Sequence, residues 1–183
     1  MKSTRKNKMK TQITKVLLIG LLTLMSVATG YGQLKKAEIL ATGLTCSMCS
    51  NAINKQLKAL EGVEKVETDL NTNTFTVFFN PDNAITPATL KNSVEKAGFF
   101  VGSMVVTMEL SNVLPTDNAT LQAGDATFVF IDSKEKNLDG ETRLKVQDKG
   151  YVTQKEYKKL QKSYSKYPTY GVENEGDFHV KVI

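Results

Sequence analysis

Between Ala37 and Leu110 the apolar residues change their spacing from one short segment to the next, and that order limits the folds open to the chain. The stretch "AEILATG" (37–43) is short, apolar and closed by Gly43, which is strand character. From Ser47 to Leu60, the residues Cys49, Ala52, Ile53, Leu57 and Leu60 fall at helical spacings, and Gly62 stands just past the end. "VEKVETDL" (63–70) alternates at Val66, Thr68 and Leu70, and "TFTVFF" (74–79) at Phe75, Val77 and Phe79. The turn "NTN" (71–73) between them makes a hairpin. "ATLKNSVEKAG" (88–98) puts Leu90, Val94 and Ala97 on one helical face and stops at Gly98. "FFVGSMVVTMEL" (99–110) is a further strand, long enough to continue past one sheet. Strand, helix, strand, strand, helix, strand is the ferredoxin-like βαββαβ order, in which two helices cover one face of a four-stranded sheet.

The remaining residues have another texture. "SNVLPTDNATLQAG" (111–124) is polar, contains Pro115 and Gly124, and reads as a linker. "ATFVFID" (126–132) and "TRLKVQD" (142–148) read as strands joined by the turn-rich "SKEKNLDGE". Residues 153–164 predict a charged surface helix with Tyr157, Leu160 and Tyr164 on one side and Thr153 with Glu156 as a capping box. "DFHVKVI" (177–183) closes the chain as a strand. The fold class is therefore α+β. A ferredoxin-like sandwich over 33–110 is followed by a linker (111–124) and a second small α+β domain (125–183). Residues 111–183 show no site in their sequence, and a protein-interaction module is the reading left for them. The lysine-rich helix 155–166 is expected to be a solvated face, and His179 a surface residue rather than a ligand.

The net charge of +5 belongs to the N-terminus. Residues 1–32 hold six basic side chains and no acidic one, which leaves 18 basic against 19 acidic beyond them. No basic stripe with interleaved aromatics remains to track a phosphate backbone, so nucleic acid is not an expected partner. The leader has a basic region ending at Lys15, the apolar run Val16–Gly30 and small residues before Gln33. That is the layout of a secretory signal with a cut after Gly32, and it predicts a periplasmic or secreted protein. An uncleaved leader would be the one route to a membrane; its apolar run is short against the about 20 residues a spanning helix needs.

Cys46 and Cys49 are the two cysteines of the chain, in "GLTCSMC" between the first strand and the first helix. Such a pair can hold a metal, cycle between dithiol and disulfide, or form a lasting disulfide. At a helix N-terminus the amides and dipole favour an anion, so the thiols ionise more readily than free cysteine. Thiolate is the form that binds metal, and soft thiolate pairs select soft ions such as Cu(I). Zinc fits poorly, because it wants three or four protein ligands and the one histidine, His179, lies far along the chain. A thioredoxin-like redox pair is the alternative that export favours. Against it, the chain has no tryptophan and its element order differs from a thioredoxin core. Met48 is expected to be an exposed loop residue, and Met104 and Met108 to pack or point outward.

"GLTCSMC", the helix after it and the βαββαβ order resemble the heavy-metal-associated domain over about residues 35–107. That family includes copper chaperones, the metal domains of copper-transporting P-type ATPases and exported mercury-binding proteins. Gly43, Thr45, Cys46 and Cys49 match its Gly-Met-Thr-Cys-x-x-Cys motif. Leu44 departs from the methionine, a volume-conserving change. Phe99, in "KAGFF", stands where the family carries an aromatic or a lysine close to the metal loop. The resemblance implies Cys46 and Cys49 as metal ligands, with Leu44 and Phe99 as apolar cover that limits water near the ion. It implies Cu(I) as the ion, with Hg(II) or Ag(I) as alternatives, and a metal donor or acceptor such as a copper-transporting ATPase as partner. With one histidine and no visible arrangement of nucleophile, base and orienter, the chain is not expected to be an enzyme.

Overall fold

The computed structural model describes residues 33–45, 47–134, 136–172 and 176–183; the leader and Cys46 lie outside them. The elements run β1 (Gln33–Thr42), α1 (Ser47–Lys58), β2 (Val63–Asp69), β3 (Thr74–Phe79), α2 (Pro87–Lys96) and β4 (Phe100–Val113), then β5 (Thr120–Ala123), β6 (Ala126–Phe130), β7 (Leu138–Val146), α3 (Gln154–Ser163) and β8 (Asp177–Val182). The first six reproduce the expected βαββαβ order, so the N-terminal part is ferredoxin-like. All eight strands form one sheet in the order β2-β3-β1-β4-β7-β8-β6-β5. Every strand pair is antiparallel except β6 with β8.

The segment read as a linker is the main correction. β4 runs on to Val113, and β5 lies inside 111–124. Asn112, at positive φ, sits at the irregularity of β4 between Leu110 and Val113, and Pro115 and the positive-φ Asn118 mark the connection to β5. β5 is too short for its alternation, Leu121 and Ala123 buried between exposed or half-buried neighbours, to stand out. β4 pairs with β1 along one edge and with β7 along the other, so both halves share a central strand. One apolar cluster follows from this, running from Ile39, Phe75 and Leu90 to Phe128, Val146 and Phe178. β7 also begins inside the segment read as turn, at Leu138.

Local chemistry explains the helices. Thr86 caps α2 by accepting the Thr89 N–H at 3.2 Å, Pro87 opens it, and Leu90 and Val94 are buried. Its end closes through Gly98 N–H to Glu95 O (2.8 Å) and Phe99 N–H to Val94 O (3.2 Å). That is the paired closure which a glycine at positive φ permits, here φ +90°. In α1 the core face is Ser50, Ile53 and Leu57, whereas Ala52, expected on that face, is exposed. α1 stops at Lys58, short of Leu60.

α3 packs on the other side of the sheet. Leu144 and Val146 of β7 enter the main cluster, while Lys145 between them bonds Glu156 of α3 at 2.8 Å. Tyr157, Tyr164, Tyr167 and Tyr170 form a second cluster there with Ile131 and Val152. Thr153 accepts the Glu156 N–H at 3.2 Å, but the Glu156 carboxylate goes to Lys145, so only half of the capping box is made. Among the described residues no helix is long and apolar enough to cross a membrane.

Candidate metal centre

The end of β1 delivers the chain into Gly43-Leu44-Thr45, and α1 begins two residues later. Gly43 takes φ +89°, and a Cβ there would sit 3.9 Å from Phe99 Cδ1. The closure of α2 described above sets the Phe99 backbone, so the second helix brings this ring beside the loop. Leu44 and Phe99 are both half-buried and pack against the main core. The structure thus puts the two residues expected as apolar cover at the mouth of the loop. Thr42 helps close the same end of the sheet, its hydroxyl donating to Phe100 O at 3.3 Å.

Cys49 is the third residue of α1 and is half-buried. Its Sγ lies 4.0 Å from the Thr45 hydroxyl. No acidic residue occupies the first turn of α1, while Lys55 and Lys58 sit in the last, so the positive end of the helix is left to an anion such as a thiolate. Cys46, the expected second ligand, lies outside the described residues. Asn54 Nδ2 donates to Thr68 Oγ1 at 2.8 Å and pins α1 to β2; nothing in the sequence spacing announced that tie. Met48 is 78 % exposed, as expected, but it lies in the first turn of α1 rather than in the loop. Met104 and Met108 are fully buried. Phe100 (67 % exposed) and Leu40 (37 %) leave apolar surface on the helix-free face at this end. Gly102 makes room for it: a Cβ there would lie 2.5 Å from Thr42 Cγ2 and 2.9 Å from Leu40 Cδ2.

Among the described residues no group of three or more His, Cys, Asp or Glu side chains is placed to hold a metal. His179 corrects the sequence reading. It is 2 % exposed, not a surface residue. Its Nδ1 lies 2.7 Å from Asp148 Oδ1 and its Nε2 2.8 Å from Thr169 Oγ1, so both ring nitrogens are engaged away from the metal loop.

Residues 38–100 match the model of the heavy-metal-associated domain family. A copper-exporting P-type ATPase of Staphylococcus saprophyticus is 38% identical over 72 residues, 39% of this chain and 9% of that protein. A copper-transporting ATPase of Saccharomyces cerevisiae is 46% identical over 57 residues, 31% of this chain and 6% of that protein. The chain therefore spans less than a tenth of the length of these relatives. Among solved structures, the yeast copper transporter domain CCC2A, determined in apo and Cu(I)-loaded states, is 40% identical. The match covers 36% of this chain and 88% of that one, with a TM-score of 0.33.

Proposed function

From the heavy-metal-associated domain at residues 38–100, we propose that this is an exported soft-metal-binding protein that takes up one Cu(I) through Cys46 and Cys49 and passes it on by ligand exchange. The observation that carries the reading is the placement of Cys49. It stands in the first turn of a helix with no competing carboxylate, at a loop roofed by Leu44 and Phe99. The helix end stabilises the thiolate, and a soft thiolate pair prefers a soft, low-coordinate ion. The apolar roof limits water at the ion, while the exposed rim lets a partner's thiolate approach.

The matched relatives are copper ATPases, so the metal domain of such an ATPase is the acceptor or donor that fits. Hg(II) and Ag(I) are competitors for the same pair. Export follows from the leader, and a mature chain beginning at Gln33 is its direct consequence.

The test is titration of the reduced chain with Cu(I) against a competing chelator, beside Cys46→Ser and Cys49→Ser. Each variant should lose at least about 100-fold in affinity, since one ligand of a small site supplies a few kcal/mol. Equal affinity in the three proteins would overturn the site.

A further inference from the structure

The C-terminal half holds a second cluster of reactive side chains, drawn from three separate segments. Asp148 follows β7, Thr169 lies between α3 and β8, and His179 is in β8. The Asp148 carboxylate is held by two bonds from one residue. Its Oδ2 accepts the His179 backbone N–H at 2.6 Å, and its Oδ1 faces His179 Nδ1 at 2.7 Å. A carboxylate oxygen accepts, so Nδ1 is the donor toward Asp148, and Nε2 is the ring nitrogen that faces the other way. The Thr169 Oγ1 lies 2.8 Å from that Nε2 and donates to it in the tautomer that carries its proton on Nδ1. Tyr170 packs edge-on against the imidazole, with centroids 5.2 Å apart and an interplanar angle of 78°. Its own hydroxyl is fixed by donating to Gln147 O at 2.8 Å. The ring is therefore oriented by a carboxylate on one side, an aromatic wall on another and a hydroxyl in front.

Thr169 differs from its two partners in being exposed. It stands on a cleft of about 420 Å³ that Asn118, Val129, Pro168 and Asp177 also line. Here the one member able to act as a nucleophile is the one that opens to a cavity. Hydroxyl, base and orienter in this sequence is the arrangement that activates a weak nucleophile for acyl transfer.

We infer that Thr169 is an acyl-accepting nucleophile for small uncharged carboxylic esters, with His179 as its base and Asp148 as the positioning residue. Thr169 Oγ bonds to the ester carbonyl carbon as its proton passes to His179 Nε2. The carbon–oxygen bond to the alcohol then breaks, and the alcohol leaves with that proton. Water, deprotonated by the same nitrogen, next attacks the acyl-threonine, which releases the acid and restores the hydroxyl. Ester and water give acid and alcohol, with no change of oxidation state. The cleft fits a short acyl group against Val129 and Pro168, and the Asp177 carboxylate disfavours anionic ones. Asn118 lines the same cleft, and its side-chain amide is the N–H donor this assignment gives to the oxyanion.

The test uses the full chain with Cys46→Ser and Cys49→Ser, so that the thiols do not react, and p-nitrophenyl acetate as substrate. Intact-mass and peptide analysis should place one acetyl group on Thr169. Thr169→Val, which keeps the shape at an exposed position, should slow nitrophenol release by about 100-fold, the scale of general-base catalysis, and Thr169→Ser should restore it. Asp148→Asn should lower kcat with little change in KM and shift the pH profile, which a loss of folding alone would not do. An unchanged rate in Thr169→Val, or acetyl groups on lysines alone, would overturn the assignment.

Discussion

The metal loop and the Asp148–His179–Thr169 cluster occupy one sheet, yet they are built in opposite ways. The loop gathers its chemistry within a few consecutive residues at the junction of β1 and α1, and its rim is exposed, with Met48 and Phe100 open to solvent. The cluster takes its carboxylate, imidazole and hydroxyl from three segments, with Asp148 and His179 31 positions apart, and it buries the imidazole fully. The difference matches the tasks proposed for them. An ion that is handed to a partner needs a site at the surface, with only its flanks shielded from water. An imidazole that must present one nitrogen needs a second group on its other nitrogen and walls around it, which a folded interior supplies.

The largest expected effect tests whether the two regions are parts of one body. Phe75 and Phe128 are fully buried members of one core cluster, the first in β3 beside the metal half, the second in β6. Replacing either with Ala should cost about 3–5 kcal/mol. In urea both variants should shift a single transition seen alike by helix and tyrosine signals. Loss of the tyrosine signal alone in Phe128→Ala would show two independently folding units.

Alkaline pH should sharpen the comparison, because all the described tyrosines lie in the C-terminal half. Burial first, and the Asp148 carboxylate second, push the Tyr151 and Tyr170 phenols well above their ordinary range. The folded state therefore holds these protons more tightly than the unfolded chain. Their contribution to stability is fully present below about pH 10, the unperturbed phenol value, and is lost as pH rises above it. In a spectrophotometric titration, phenolate absorbance from this cluster should develop together with loss of ellipticity. Complete ionisation with the fold intact would contradict the packing.

The smallest effect compares the two caps. Thr86 and Thr153 each accept a helical N–H at 3.2 Å, one in each half. Ala at either position should cost about 1 kcal/mol, or about 2–4 °C in Tm for a chain of this size. A much larger loss at Thr153 would mean that α3 braces the tyrosine cluster more than its cap implies.

Legibility in the sequence divides along the same boundary. In the N-terminal half the strand Thr74–Phe79 has the bounds its alternation predicts, because one face is buried and turn residues flank it. The metal loop was legible for the same reason: its ligand candidates are neighbours in sequence. Leu44 and Phe99 were placed through family resemblance, and the closure at Gly98 supplies the physical cause for Phe99. In the C-terminal half, β5 offers too few residues for a period to emerge, and the neighbouring Pro115, Asn112 and Asn118 read as loop residues. His179 read as a surface residue because an isolated histidine on a strand normally avoids burial. It is buried because Asp148 and Thr169, neither of them nearby in sequence, satisfy both ring nitrogens. Phe178, His179 and Val180 are consecutive and all buried, since the core covers one face of β8 and the tyrosine cluster the other. No alternation reports that arrangement.

X-ray absorption at the copper edge of the Cu(I)-loaded, reduced chain tests the two-thiolate site most directly. Cys46 and Cys49 alone should give a shell of two sulfur neighbours without nitrogen. A nitrogen neighbour would bring in His179 against its engagement with Asp148 and Thr169, and a shell without two sulfurs would contradict the site itself.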